Sequence, residues 1–463
     1  MARWLVIVFC FVGIYRTINC EDNKYDNYTL MKIAPQSYHQ LAKLVKLKHD
    51  PEGIEILKRS RGLNRTTDVL VAPHKRRFLE QFVSKHGMPV QYKYNYGRHF
   101  ESVPKSSLRS GFNVYGFNSY DDITSRIHML AAKMPQLISI QFVGHSYEKR
   151  KMNLVKISTN PSGRNPIIFI DAGIHAREWV APAMAVYIIH RLIKDPKALK
   201  RELNGVDWYI LPVVNPDGYE FSRGKKSGMI VPNSNVLTIG VQRGWAALTA
   251  APARHAPASI SCPRFEVTST YVMNRLWRKT RSKHTKKDCY GVDGNRNYGF
   301  EWGGKGTSKD PCDQEIYAGP KAFSENETQA VAKIMNAYKE RIKLYVSIHS
   351  YGAYLVYPWG FTADILPENW IRMHNLARMV SDSVVRAGGP AFEVMSAGQW
   401  YPAAGGSDDY ALAVMGIPYS YTMELTKNFE FTFPEELLET VLPQYYDGFI
   451  TFSIQIKREF GSN

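Results

Sequence analysis

From residue 112 onward, short apolar runs alternate with longer segments of helical period. Residues 166–172 (PIIFIDA) are a nearly all-apolar run of strand length. Residues 181–194 repeat apolar positions at helical spacing, with Pro182 in the first turn, where a missing N–H is tolerated. Residues 208–214, 344–349 and 418–424 are further buried-strand candidates. Helical patterns fill 325–341 and 368–387, and a last one runs over 435–458. Strands that are apolar at almost every position need cover on both faces. The alternation therefore predicts one large α/β domain, with a mixed, mainly parallel sheet flanked by helices. In such a sheet, functional groups belong at strand ends.

Ahead of this domain, residues 25–105 read as a small α+β module: a periodic stretch at 37–48, a strand-like run at 68–72 and a helical stretch at 74–85. Residues 102–111 have the small, polar composition of an exposed linker. Cleavage after Arg109 by a trypsin-like protease would separate the two parts, with Arg98 and Lys105 as alternative sites. One segment breaks the pattern. Residues 223–270 are rich in Ala, Pro and Ser without a sustained period, far beyond the ~12–15 residues usual for a structureless loop in a compact domain. The segment is an atypical insertion and is expected to be absent from the functional protein, most simply as translated intron; a surface loop is the alternative.

Residues 1–20 begin with Arg3, continue as an apolar run and end before Glu21 and Asp22, the layout of a secretory signal. The run falls short of the ~20 apolar residues of a membrane span, so the chain is expected to be secreted and extracellular, with no membrane partner. The sequons at Asn27, Asn64 and Asn326 are compatible with export. The 463 residues carry a net charge of +17, which invites a nucleic-acid reading. The excess, however, sits mainly in residues 21–110 and 223–270, and the body of the chain is nearly neutral. No nucleic-acid partner is expected, because phosphate binding needs basic residues clustered on one working face. Of the five cysteines, Cys289 and Cys312 are the natural disulfide pair in an exported chain, and Cys262 is left over.

Candidate chemistry follows the strand ends. Directly after the 166–172 run, His175 and Glu178 are spaced H-x-x-E, so a tight turn or first helical turn could aim both at one metal. Alone the spacing is weak, and a surface pair at a helix start satisfies it equally. His349, at the end of another apolar run, would complete two His and one Glu, a zinc set that leaves an open position. Glu424 ends the last apolar strand, where a carboxylate is costly without a partner or a task. Near a metal it could take a proton from an attacking water and hand it to a leaving amine; otherwise it is a salt-bridged structural residue. Arg278 and the Asn295–Arg296 pair flank Cys289, and arginine suits carboxylate recognition and oxyanion stabilisation.

Seven runs stand in order along the chain: HAREW (175–179), NPDGY (215–219), RLWRKTRS (275–282), DGNRN (293–297), SIHSY (347–351), YPAAGGSDDY (401–410) and MEL (423–425). Together they resemble the signatures of the zinc metallocarboxypeptidases of the pancreatic carboxypeptidase A/B type, and the basic leader resembles that family's activation peptide. The resemblance implies one zinc per chain on His175, Glu178 and His349, Glu424 as general base and acid, and Arg278 polarising the scissile carbonyl. It implies that Asn295, Arg296 and Tyr401 hold the substrate's terminal carboxylate, with Arg177 and Tyr351 in the binding cleft. It divides the chain into a signal peptide (1–20), an activation propeptide (21–109) and a catalytic domain (110–463). The expected partners are peptide or protein C-termini as substrate and a trypsin-like activating protease, with the enzyme a monomer.

In that family, the position between serine and aspartate of the GGS-x-D run lies at the bottom of the pocket for the substrate's last side chain. Here it is Asp408, which implies preference for C-terminal Lys and Arg. Two departures stand out. Thr426-Lys427 replaces the family's usual Arg-Asp pair after Glu424-Leu425, and joining Ser222 to Tyr271 restores the family's usual spacing by removing 48 residues. Broad or carboxypeptidase A-like specificity, or an impaired relative that only grips C-terminal peptides, are the alternative readings.

Overall fold

The computed structural model describes residues 27–45, 47, 53–58, 63–93, 111–160, 163–195, 201–224, 275–285, 289–427 and 431–461. The expected signal, the 94–110 stretch with its cleavage sites, and all but the first two residues of the 223–270 insertion, including Cys262, lie outside the described residues.

The leader contributes strands β1 (Thr29–Ile33), β2 (Ile54–Lys58), β3 (Thr67–Val71) and β4 (Val90–Lys93), paired antiparallel in the order β2-β3-β1-β4. Helices Tyr38–Val45 and Pro73–Lys85 accompany them. Successive side chains on a strand point to opposite faces. Met31, Ile33, Val69 and Val71 accordingly pack with Leu79 and Val83 of the second helix, while Leu30 and Leu70 join Leu57 on the other face. That other face rests on Leu276, Tyr351 and Phe431 of the following domain. Cover on both sides explains why β3 is buried at all five positions.

The second domain is built on an eight-stranded sheet, ordered β11-β10-β12-β9-β7-β8-β6-β5. Its strands are β5 (Ile138–His145), β6 (Lys151–Ile157), β7 (Ile167–Ala172), β8 (Asp207–Leu211), β9 (Ile342–Ser350), β10 (Tyr354–Tyr357), β11 (Glu393–Ser396) and β12 (Tyr419–Leu425). Four of the seven neighbouring pairs are parallel, which makes the sheet mixed and mainly parallel. The apolar runs at its centre are buried from both sides. Ile168 and Ile170 of β7 belong to a core that includes residues of helices Val180–Lys194, Trp370–Arg386 and Leu438–Phe460, while Ile167 and Phe169 belong to a second core that includes residues of helix Asn326–Tyr338. The antiparallel edge β5–β6 and the helix Tyr120–Lys133 do not stand out in the hydrophobic pattern, because β5 is only partly buried and its alternation is irregular. Cys289 and Cys312 are joined by a disulfide, their Cα atoms 4.9 Å apart. Among the described residues, no helix is long and apolar enough to cross a membrane.

Candidate active site

Strands β7, β9 and β12 are neighbours and run the same way, so their C-terminal ends share one edge of the sheet. Register places Glu424 of β12 directly beside His349 of β9. Strand β7 ends at Ala172 and releases the chain into the turn bearing His175 and Glu178. The Glu178 N–H donates to the His175 carbonyl at 3.2 Å, closing that turn before helix Val180–Lys194 begins. Gly173 makes the exit possible: its φ is +69°, and a Cβ there would come within 2.8 Å of the Pro182 ring.

The H-x-x-E pair meets His349 as a compact group. His175 Nδ1 lies 2.8 Å from Glu178 Oε1, His349 Nδ1 lies 3.1 Å from Glu178 Oε2, and the two Nδ1 atoms are 3.1 Å apart. All three side chains are buried. On each ring the opposite nitrogen is already engaged: His175 Nε2 with Asp293 Oδ1 and His349 Nε2 with Ser347 Oγ, both at 3.0 Å. Each Nδ1 is thereby turned inward beside the same carboxylate, the arrangement a metal-binding histidine needs. Burial works against ionisation of Glu178, but the two histidines overcome it and hold its carboxyl well below the usual range. Two imidazoles and one carboxylate fit a single zinc ion with one position left open.

Around this group, charged side chains stand in a cleft that is otherwise largely apolar, with Ile56, Leu57, Ile316, Val356 and Phe431 in its walls. Arg278 donates from Nε and a terminal nitrogen to Asp293 Oδ2 at 3.2 and 2.9 Å, and another of its nitrogens approaches Glu178 Oε1 at 3.8 Å. Arg296 is buried and held by the carbonyls of Gly306 (3.0 Å) and Asn295 (2.7 Å), with one nitrogen 3.5 Å from the Tyr401 hydroxyl. Asn295 Oδ1 accepts from the Ser407 N–H at 3.0 Å, which ties this loop to helix Ser407–Ala413. Arg177 makes a bidentate pair with Glu315, at 2.8 and 2.6 Å, and its guanidinium sits 4.2 Å from the centre of the Phe431 ring.

Asp408 and Asp409 illustrate how differently adjacent acids can be treated. Asp409 accepts from the backbone N–H groups of Gly360 (2.7 Å) and Phe361 (2.9 Å). Asp408 lines the cleft instead, only 4% exposed, and its Oδ2 has no hydrogen-bond partner among the described residues. Burial pushes its carboxyl above the usual range.

Ten of the residues singled out in the sequence line one cleft of about 290 Å³: His175, Arg177 and Glu178 after β7; Arg278, Asn295 and Arg296 in the loops around Cys289; and Tyr351, Tyr401, Asp408 and Glu424 from the C-terminal half. His349 adjoins it through Glu178. Asp293, which grips both His175 and Arg278, carries no expectation from the motifs although it stands in the DGNRN run, and the same holds for Glu315, Ser347 and Asp68. The leader closes the cleft from above: Ile56 and Leu57 line it, and the Tyr351 hydroxyl donates to Asp68 Oδ2.

Comparison with known proteins agrees with this geometry. Residues 123–448 match the sequence profile of the family described as zinc carboxypeptidase, and residues 31–94 match that of the carboxypeptidase activation peptide. Carboxypeptidase B of Astacus astacus is 35% identical over 336 residues, covering 72% of this chain and 94% of its own length. Zinc carboxypeptidase A 1 of Anopheles gambiae is 28% identical over 432 residues, covering 92% of this chain and 88% of its own. The crystal structure of carboxypeptidase A from Helicoverpa armigera superposes with a TM-score of 0.76 at 24% identity, covering 94% of this chain and 99% of that one, and so shares the fold. With its buried His–Glu–His group and its leader seated over the cleft, the chain belongs to the zinc carboxypeptidase family and carries that family's activation peptide.

Proposed function

We propose that this zymogen, once cut in the stretch between its two domains, removes Lys and Arg from the C-termini of peptides. The observation that carries the specificity is Asp408, a buried carboxylate on the cleft wall with an oxygen that has no partner among the described residues. An anion so placed is costly until a cation joins it. A terminal ammonium or guanidinium supplies one, whereas an apolar side chain leaves the oxygen unpaired and an acidic one repels it. The relatives include enzymes named both carboxypeptidase A and carboxypeptidase B, so the preference rests on this residue.

In this reading His175, Glu178 and His349 hold the zinc, which supplies Lewis-acid polarisation of the scissile carbonyl and makes a water more acidic. Arg296, supported by Tyr401 and Asn295, takes the substrate's terminal carboxylate through charge-assisted hydrogen bonds. Such a clamp leaves no room for chain beyond the last residue, so only the final peptide bond reaches the reactive groups. Glu424, beside His349 at the sheet edge, takes the proton of the attacking water on its carboxylate and returns it to the departing amine. Arg278 faces the negative charge that grows on the carbonyl oxygen, held in place by Asp293. Arg177 and Tyr351 border the cleft where upstream residues of the peptide would lie.

Residues 21–109 form the inhibitory leader and 110–463 the enzyme in this reading. Export is supported by the apolar leader of residues 1–20 and by exposure of all three sequon asparagines, Asn27, Asn64 and Asn326. The test is to cleave the precursor with trypsin and assay two peptides, one ending in Lys and one in Leu, with and without a chelator. Faster removal of Leu than of Lys refutes the specificity, and full activity in metal-free protein refutes the mechanism.

A further inference from the structure

The two histidines of the metal group are held in different ways. His175 Nε2 meets a carboxylate directly, Asp293 Oδ1 at 3.0 Å. His349 Nε2 meets only a hydroxyl, Ser347 Oγ at 3.0 Å. A serine hydroxyl can donate or accept, so by itself it does not decide which imidazole nitrogen carries the proton. The next link removes that freedom. Ser347 Oγ lies 2.7 Å from Asp171 Oδ1, and Asp171 Oδ2 accepts from the Tyr345 hydroxyl at 2.7 Å. Asp171 and Ser347 are paired across β7 and β9, both almost fully buried, so the contact is fixed by strand register.

We propose that Asp171, acting through Ser347, is a positioning residue that fixes His349 as the Nε2–H tautomer and so presents its Nδ1 lone pair to the metal. The proton order follows from the donor inventory. An ionised carboxylate only accepts, so the single Ser347 proton points to Asp171, and the Oγ lone pair is left to accept from His349 Nε2–H. The inference rests on the reading of His349 as a zinc ligand. It adds a carboxylate–hydroxyl–histidine chain, carried by adjacent strands, as the counterpart of the direct Asp293–His175 contact.

The test uses the full-length, zinc-loaded chain. Zinc affinity is measured by competition with a chromophoric chelator, and the His349 Nε2 proton is followed by NMR on protein with 15N-labelled histidine. Ser347→Ala is expected to weaken zinc binding by about 10–100-fold, the range seen when such outer partners are removed. It should also expose the Nε2 proton to rapid exchange. Ser347→Thr, which keeps the hydroxyl, should restore both. Asp171→Ala should weaken zinc to a similar extent, and Asp171→Ala combined with Ser347→Ala should be no worse than the more affected single variant, because both act through one chain. Tyr345→Phe breaks the other hydrogen bond to Asp171 while leaving the chain to His349 intact, so it should retain wild-type affinity and a protected proton. Wild-type zinc affinity and an unchanged Nε2 proton in Ser347→Ala would overturn the proposal. His349→Ala separates the two levels: if it leaves zinc affinity unchanged, the ligand assignment itself fails.

Discussion

Tyr351, at the rim of the cleft, donates a 2.8 Å hydrogen bond to Asp68 in strand β3 of the leader. Lys32, paired with Asp68 in strand register, brings its ammonium to 3.5 Å of the same oxygen. An apolar patch of Leu30, Leu57, Leu70, Leu276 and Phe431 surrounds this contact. The leader is therefore held over the cleft by a partly buried charge-assisted bond set in a hydrophobic seal.

Removing that bond should loosen the seal. A hydrogen bond to a charged group contributes about 1.5–3 kcal/mol. Asp68→Ala in the uncleaved precursor is accordingly expected to raise hydrolysis of a short peptide by roughly 10-fold or more, with no change in the enzyme once the leader is cut away. Equal activities of the variant and wild-type precursors would remove Asp68 from the account of inhibition.

Glu424→Gln keeps the size and shape of the side chain but not its capacity to move a proton. Turnover is expected to fall by at least ~10²–10⁴-fold, with zinc content unchanged by metal analysis. A variant that kept full turnover would show that another group carries the proton.

Asp408→Ile should exchange one terminal preference for another. A pocket built around a polar partner can reject the analogue lacking it by about 10⁴-fold, so the ratio of kcat/KM for Lys-ended over Leu-ended peptides is expected to drop by a similar order. The measurement is steady-state kinetics on the cleaved enzyme. A ratio that stays at the wild-type value would place specificity elsewhere in the cleft.

Glu327, in the first turn of helix Asn326–Tyr338, makes a pH-dependent contribution. Burial, with Glu325 close by, pushes its carboxyl from 4.5 up to about 8. The folded state thus holds a proton that the unfolded chain has already released. Its stabilising effect is complete below about pH 4.5 and is lost as the pH rises through about 8. Glu327→Gln mimics the protonated form at every pH. It is expected to raise the melting temperature at pH 8 and to flatten its decline between these values, as thermal unfolding of the cleaved enzyme would show.

Much of this was legible in the linear sequence because the physics behind it is local. The central strands are short continuous apolar runs, and only a sheet covered on both faces can bury them. The H-x-x-E spacing brings His175 and Glu178 together within one turn. The edge strands were less legible: β5 is half exposed and bulged, so no clean period marks it. In β3 the alternation vanishes because the catalytic domain covers the face that would otherwise meet water.

The α/β class, the placement of chemistry at strand ends and, through seven ordered motifs, the residues that gather in the cleft could all be read from the order of amino acids. Their partners came only with the folded arrangement. His349 reaches Glu178 across 171 positions of chain, and Asp293 reaches His175 across 118. Ser347 finds Asp171 through the pairing of β9 with β7, and Asp68 finds Tyr351 through the docking of one domain on another. The reason is physical: periodicity and turn chemistry record what each residue does relative to its near neighbours, while strand order, register and domain docking determine which distant side chain completes a hydrogen bond.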